Sequence, residues 1–111
     1  MYNNKIFRAA SHSSNGEVDN TTRFYYHQEG AIVWAEYSGG PVSRGSLIAT
    51  VKDDGSLDMR YHHVNIDGEL MTGKCISVPE TLEDGRLRLK ETWKWTSGDE
   101  SSGESVLEEV N

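Results

Sequence analysis

The sequence predicts an all-β fold, a single antiparallel up-and-down β-barrel of about eight strands around a small lumen. Turn signals recur at short intervals: Ser14-Asn15-Gly16, Glu29-Gly30, Gly39-Gly40-Pro41, Asp53-Asp54-Gly55, Asp67-Gly68, Asp84-Gly85 and Gly98-Asp99. Asp-Gly pairs suit tight hairpins because both central residues can take positive φ. The runs between these signals have strand composition. No window repeats apolar residues at i, i+3, i+4 and i+7, the pattern that an amphipathic helix needs.

The runs place strands at 5–12, 21–29, 31–38, 42–52, 56–65, 69–78, 86–96 and 105–110. Strands linked by successive hairpins form a meander, and a meander of this size closes by pairing its first strand with its last. A six- to eight-stranded sandwich is the alternative arrangement of the same runs. Residues 97–105, rich in Ser, Gly and acids, read as a long mobile hairpin loop. The 111 residues make one domain with no room for a second core.

Composition narrows the function classes. Hydrophobic residues make up 35% and charged residues 26%, which is polar for a globular chain, yet three Trp, five Tyr and two Phe supply large apolar area. The net charge of −7 repels phosphate backbones, and the one dense basic stretch (Arg86, Arg88, Lys90, Lys94) alternates as the solvated face of a strand does. No nucleic-acid partner is expected. Nor is a membrane partner, since no run approaches the ~20 apolar residues of a helical span. Met1 leads into Tyr2, Asn3, Asn4 and Lys5 without an apolar stretch, so the expectation is a cytoplasmic protein. Cys75 stands alone, which excludes an internal disulfide.

Alternation assigns the faces of two strands. In the seventh, Leu87, Leu89, Glu91, Trp93 and Trp95 share the side opposite Arg86, Arg88, Lys90, Thr92 and Lys94, so the first set points inward. In the fifth, Leu57, Met59, Tyr61 and His63 lie opposite Ser56, Asp58, Arg60 and His62. Two strands stay open. Trp34 and Glu36 alternate with Val33, Ala35 and Tyr37, and Arg44, Ser46 and Ile48 alternate with Leu47, Ala49 and Val51; neither pattern says which side is inner.

An inward Glu91 is costly unless it is paired or hydrogen-bonded. Either Tyr61, His63, Arg44 or buried water satisfies it and it pins the register, or it faces a wet lumen and binds a donor group or acts as a general base. Metal binding has little support, because His62 and His63 face opposite ways and His12 and His27 sit on other strands. The Gly-rich stretch from Ser38 to Ser46 lacks the Lys of a phosphate loop and leads into a strand. No cofactor is expected.

The segments Asp58-Met59-Arg60-Tyr61-His62-His63-Val64-Asn65, Gly68-Glu69-Leu70-Met71-Thr72-Gly73-Lys74-Cys75 and Glu91-Thr92-Trp93-Lys94-Trp95-Thr96-Ser97-Gly98-Asp99 resemble a family of small bacterial proteins of unknown function. Its members often carry the label "N-acetylglutamate synthase" and look like calycin-type barrels, the group of lipocalins and fatty-acid-binding proteins. The resemblance implies the barrel and supplies no catalytic residues. The labelled activity would need a pyrophosphate-binding loop feeding a helix, and this chain has neither.

The expected function is binding of a small molecule in a partly polar lumen. Trp93, Trp95, Glu91, Tyr61 and His63 are the principal candidates, with Trp34, Glu36 and Arg44 added from the open strands. The alternatives are a small-barrel lyase or isomerase with Glu91 or His63 as acid/base, and a protein-interaction module using an acidic outer strand or the 97–105 loop. A monomer and a homodimer both fit the sequence.

Overall fold

In the computed structural model, which describes residues 1–110, the turns fall where the Gly-containing signals stand and the segments between them extend as eight strands. These are β1 (Lys5–His12), β2 (Arg23–Glu29), β3 (Ile32–Gly39), β4 (Val42–Val51), β5 (Leu57–Asn65), β6 (Leu70–Thr81), β7 (Leu87–Trp95) and β8 (Ser102–Glu109). Each pairs antiparallel with its sequence neighbours, and β1 pairs with β8 to close the barrel. Closure leaves no sheet edge to recruit another chain.

Three boundaries differ from expectation by two residues or more, each for a local reason. The second strand starts at Arg23 because Asp19 accepts from the Thr21 N–H (2.8 Å) and its carbonyl from the Thr22 N–H (3.0 Å), folding 19–22 into a turn. The sixth runs through Pro79 to Thr81. Pro79 lies beyond Ser77, the last residue paired with β5, so β7 is its only strand neighbour. The eighth begins at Ser102, so the 97–105 loop is shorter than its composition suggested; Ser102 and Gly103 pair with Lys94 and Trp93.

The barrel interior is layered. One end is plugged by Tyr2, Phe7, Tyr26, Leu57, Leu89 and Leu107, all fully buried, and the Tyr2 hydroxyl donates to the Gly55 carbonyl at 2.7 Å. Toward the other end the layers become aromatic and polar: Phe24, Tyr37, Tyr61, His63, Trp93 and Trp95. The segment between β1 and β2 folds across that mouth.

Glycine makes room for these rings. Tyr37 is in register with Gly45, Tyr61 with Gly73, and Trp93 with Gly103. In each pair the ring lies over the glycine of the next strand. A Cβ on Gly45 would come within 2.5 Å of Tyr37 Cζ, and one on Gly103 within 2.5 Å of Trp93 Cζ2. The ring covers the backbone that the missing side chain leaves bare. The β5 and β7 strands also share one burial pattern at an offset of 30 residues, Leu57 matching Leu87, with Tyr61 occupying in β5 the place of Glu91 in β7.

Gly45→Ala is expected to destabilise the barrel by about 1–3 kcal/mol, because the added carbon would lie 2.5 Å from Tyr37 Cζ and 2.8 Å from His63 Cβ, so the ring and the neighbouring strand must shift. Urea unfolding followed by tryptophan fluorescence measures this. An unchanged midpoint would show that the ring does not hold its place over the glycine.

Candidate functional site

The two strands left open by alternation resolve with Val33, Ala35 and Tyr37 inward on β3 and Leu47 and Ala49 inward on β4. Trp34, Glu36 and Arg44 therefore leave the candidate site. Trp34 is on the outer face, 37% exposed, stacked on His27 with centroids 5.5 Å apart. Glu36 is also outside, 3.1 Å from His27 Nε2. Arg44 is outside with Ser46 and Ile48, as alternation from the inward Leu47 and Ala49 requires. Val42 pairs with Asn65 and Arg44 with Val64, so Ser43 is an extra residue that shifts the alternation by one. The bulge lets Val42 and Gly45, three residues apart, both face inward.

Glu91, Trp93, Trp95, Tyr61 and His63 come together around one cavity of about 60 Å³ at the mouth half of the barrel. Phe24, Tyr37, Leu47, Met59, Cys75 and Ser105 complete its wall. The rings pack edge to face: Tyr61 and Trp95 have centroids 5.7 Å apart, His63 and Trp95 5.8 Å, and Trp93 and Trp95 5.5 Å in a tilted pair. These contacts fix the rings.

Glu91 sits on the cavity floor. Its in-register neighbours are Ser77 on β6 and Ser105 on β8, a row of short hydroxyl side chains flanking one carboxylate. The Ser105 hydroxyl reaches Oε1 only at 3.5 Å, and Oε2 is buried with no partner. Two other buried polar atoms are also without a partner, Ser77 Oγ and the Tyr26 hydroxyl, and the Glu91 charge acts on Tyr26. Burial pushes the Glu91 carboxyl up to about 7, and the flanking Ser77, Ser105 and Cys75 oppose that shift without cancelling it. Burial likewise raises the Cys75 thiol, with the Glu91 charge adding to it, so the thiol stays protonated and is no nucleophile.

Sequence reasoning missed the cover of the site. Glu17 arrives from the segment between β1 and β2 and meets His63 Nε2 at 2.7 Å and Asn65 Nδ2 at 3.1 Å. The Tyr37 hydroxyl lies 2.9 Å from His63 Nδ1, so a neutral ring protonated at Nε2 accepts from Tyr37 and donates to Glu17. The Trp95 indole N–H donates to the Asn15 carbonyl at 3.1 Å, and Gly16, Glu17 and Val18 roof the cavity. Irregular backbone has no two-residue rhythm, so nothing in the local sequence points Glu17 inward. Neither Tyr61 nor His63 hydrogen-bonds to Glu91; the His63 ring is held by Tyr37 and Glu17 instead. Among the described residues no group of three His, Cys, Asp or Glu is arranged to hold a metal ion.

The Glu91 environment has a measurable signature. An unfolded carboxyl releases its proton near 4.5, whereas the folded one keeps it to about 7. Between those values the folded state binds the extra proton, so stability falls as pH rises through the window, by about 3 kcal/mol in all. Urea unfolding of wild type and Glu91→Gln at pH 4.5, 6 and 8 isolates this group. The variant is expected to gain on the wild type steadily from pH 4.5 to 7 and no further above it; a constant difference would mean that the carboxyl is not desolvated.

Comparison with known proteins agrees with this architecture. No curated protein and no solved structure matches the chain. A family model described as "Avidin-like protein" matches residues 1–110. That family is a calycin-type barrel, the architecture that the resemblance implied, and it is consistent with small-molecule binding. With the whole described barrel inside the match, the chain belongs to the avidin-like protein family.

Proposed function

We propose that this protein binds a small molecule in the barrel lumen, held by contact with Trp93 and Trp95 and oriented by Glu91, with Tyr61 and His63 shaping the wall. The observation that carries the reading is a carboxylate on the floor of an aromatic-walled cavity, one of whose oxygens, Oε2, is buried without a partner. Buried polar groups are nearly always hydrogen-bonded, and Oε2 beside open space has room for a donor stronger than the flanking hydroxyls and thiol. A barrel filled only for stability would close over an apolar floor, as the opposite end does around Leu57, Leu89 and Leu107.

The arrangement suits capture rather than turnover. Ring contacts hold the walls, and Glu17, bonded to His63 and Asn65, ties the cover to β5. A preformed pocket loses little freedom when it is occupied. The avidin-like family membership supports a small ligand as the partner.

Tryptophan fluorescence tests this in a Trp34→Phe background, which removes the outer-face reporter and leaves Trp93 and Trp95. Within a library of compounds small enough for the cavity, some are expected to change that emission and to raise the melting temperature, a ligand at a hundred times its Kd adding about 2.7 kcal/mol. Trp93→Phe is expected to weaken the response at least severalfold. If no compound moves either signal, the lumen is a packed interior and not a binding site.

A further inference from the structure

We infer that the lumen selects small organic cations, of the amidinium or alkylammonium class, over neutral and anionic molecules of the same size. This deepens the lumen-binding reading and rests on it. Two carboxylates line the cavity, Glu91 and Glu17, and the lining contains no lysine or arginine. Glu17 is occupied by His63 and Asn65. Glu91 has the one long contact to Ser105, and next to it Ser77, which is fully buried, keeps an unpartnered Oγ.

The cations of the molecule are elsewhere. Arg88 lies between Glu80 and Glu108, Lys5 pairs with Glu109, and Arg86 with Asp84, all on the outside of the barrel. Among the described residues no lysine or arginine lines the cavity to balance the Glu91 charge. An unpaired carboxylate out of water is expensive, and a cation brought to it lowers that cost where a neutral donor does so less and an anion raises it. The walls favour the same choice. Trp93, Trp95 and Tyr61 surround the space with aromatic rings, and ring faces attract cations most strongly where water is excluded. A planar, weakly hydrated guanidinium both stacks on an indole and donates to a carboxylate.

Size and pH set the limits. A cavity of about 60 Å³ holds roughly four waters, which restricts the occupant to a small head group unless the cover moves. The groups facing Glu91 are Cys75 and Ser77 from β6, Ser105 from β8, and tyrosines 26, 37 and 61 from β2, β3 and β5. The thiol and the phenols are pushed up and stay neutral, while His63 and Glu17 face the cavity from its mouth. Cation binding therefore requires Glu91 ionised, and affinity rises with pH until its carboxyl, near 7, is fully charged.

Three probes of similar size separate the outcomes: methylguanidinium, the neutral near-isostere N-methylurea, and acetate, each titrated by fluorescence and calorimetry at pH 8 and pH 5.5. Methylguanidinium is expected to bind at least tenfold more tightly than N-methylurea at pH 8, and acetate not to bind. Its affinity is expected to fall about thirtyfold at pH 5.5, a unit and a half below the carboxyl. Glu91→Gln is expected to erase the preference at both pH values. Should that variant not fold, the pH arm in wild type decides alone. Binding of N-methylurea or acetate as tight as that of the cation, or a cation preference that ignores both pH and Glu91→Gln, overturns the selectivity and leaves lumen binding standing. Failure of all three probes and of the wider library removes both.

Discussion

The pairing of β1 with β8 decides how much space the rest of the chain must fill. A cylinder of eight tilted strands has an interior just wide enough for side chains or for one small ligand. Every second residue is committed to that interior, so its contents are a direct list of the inward positions. At one end the list is Leu, Phe, Tyr and Leu again, and the space is solid. At the other it is rings, hydroxyls and a carboxylate, and the packing stops short of filling the space.

Large rings in a narrow cylinder collide unless something opposite them is small. The in-register aromatic–glycine pairs solve that problem three times around the wall, on β3–β4, β5–β6 and β7–β8. Each ring lies along the wall instead of across the lumen, held over a glycine backbone. The open space next to Glu91 is thus a product of the wall's own design: rings laid flat against it cannot also fill its centre.

Most of this was legible in the sequence. The eight strands, their order and the inward faces of β5 and β7 follow from turn residues and a two-residue period, because charges on alternate positions of β7 leave no other choice. Strands β3 and β4 carry no such asymmetry, with Trp34 and Glu36 on one face and Tyr37 on the other. The bulge at Ser43 also turns Val42 inward without any local signal. The neighbours of Glu91 and the cover of the site were hidden for a different reason. Ser77 and Ser105 reach it through register, a property of pairs of strands, and Glu17 reaches His63 from 46 residues away through a segment with no periodicity. The start of β8 was hidden by composition, since Ser and Gly there serve packing against Trp93 in place of a turn.

The cover formed by Asn15, Gly16, Glu17 and Val18 bears on timing. Its backbone is fastened at Trp95 and its Glu17 side chain at His63 and Asn65, and the far end of the barrel is stoppered by Tyr2. A molecule bound in the lumen as proposed would have to loosen these ties to pass the covered part of the mouth, which would slow its exchange. Under that reading arrival and departure would slow together, and an occupant would outlast a brief fall in its outside concentration.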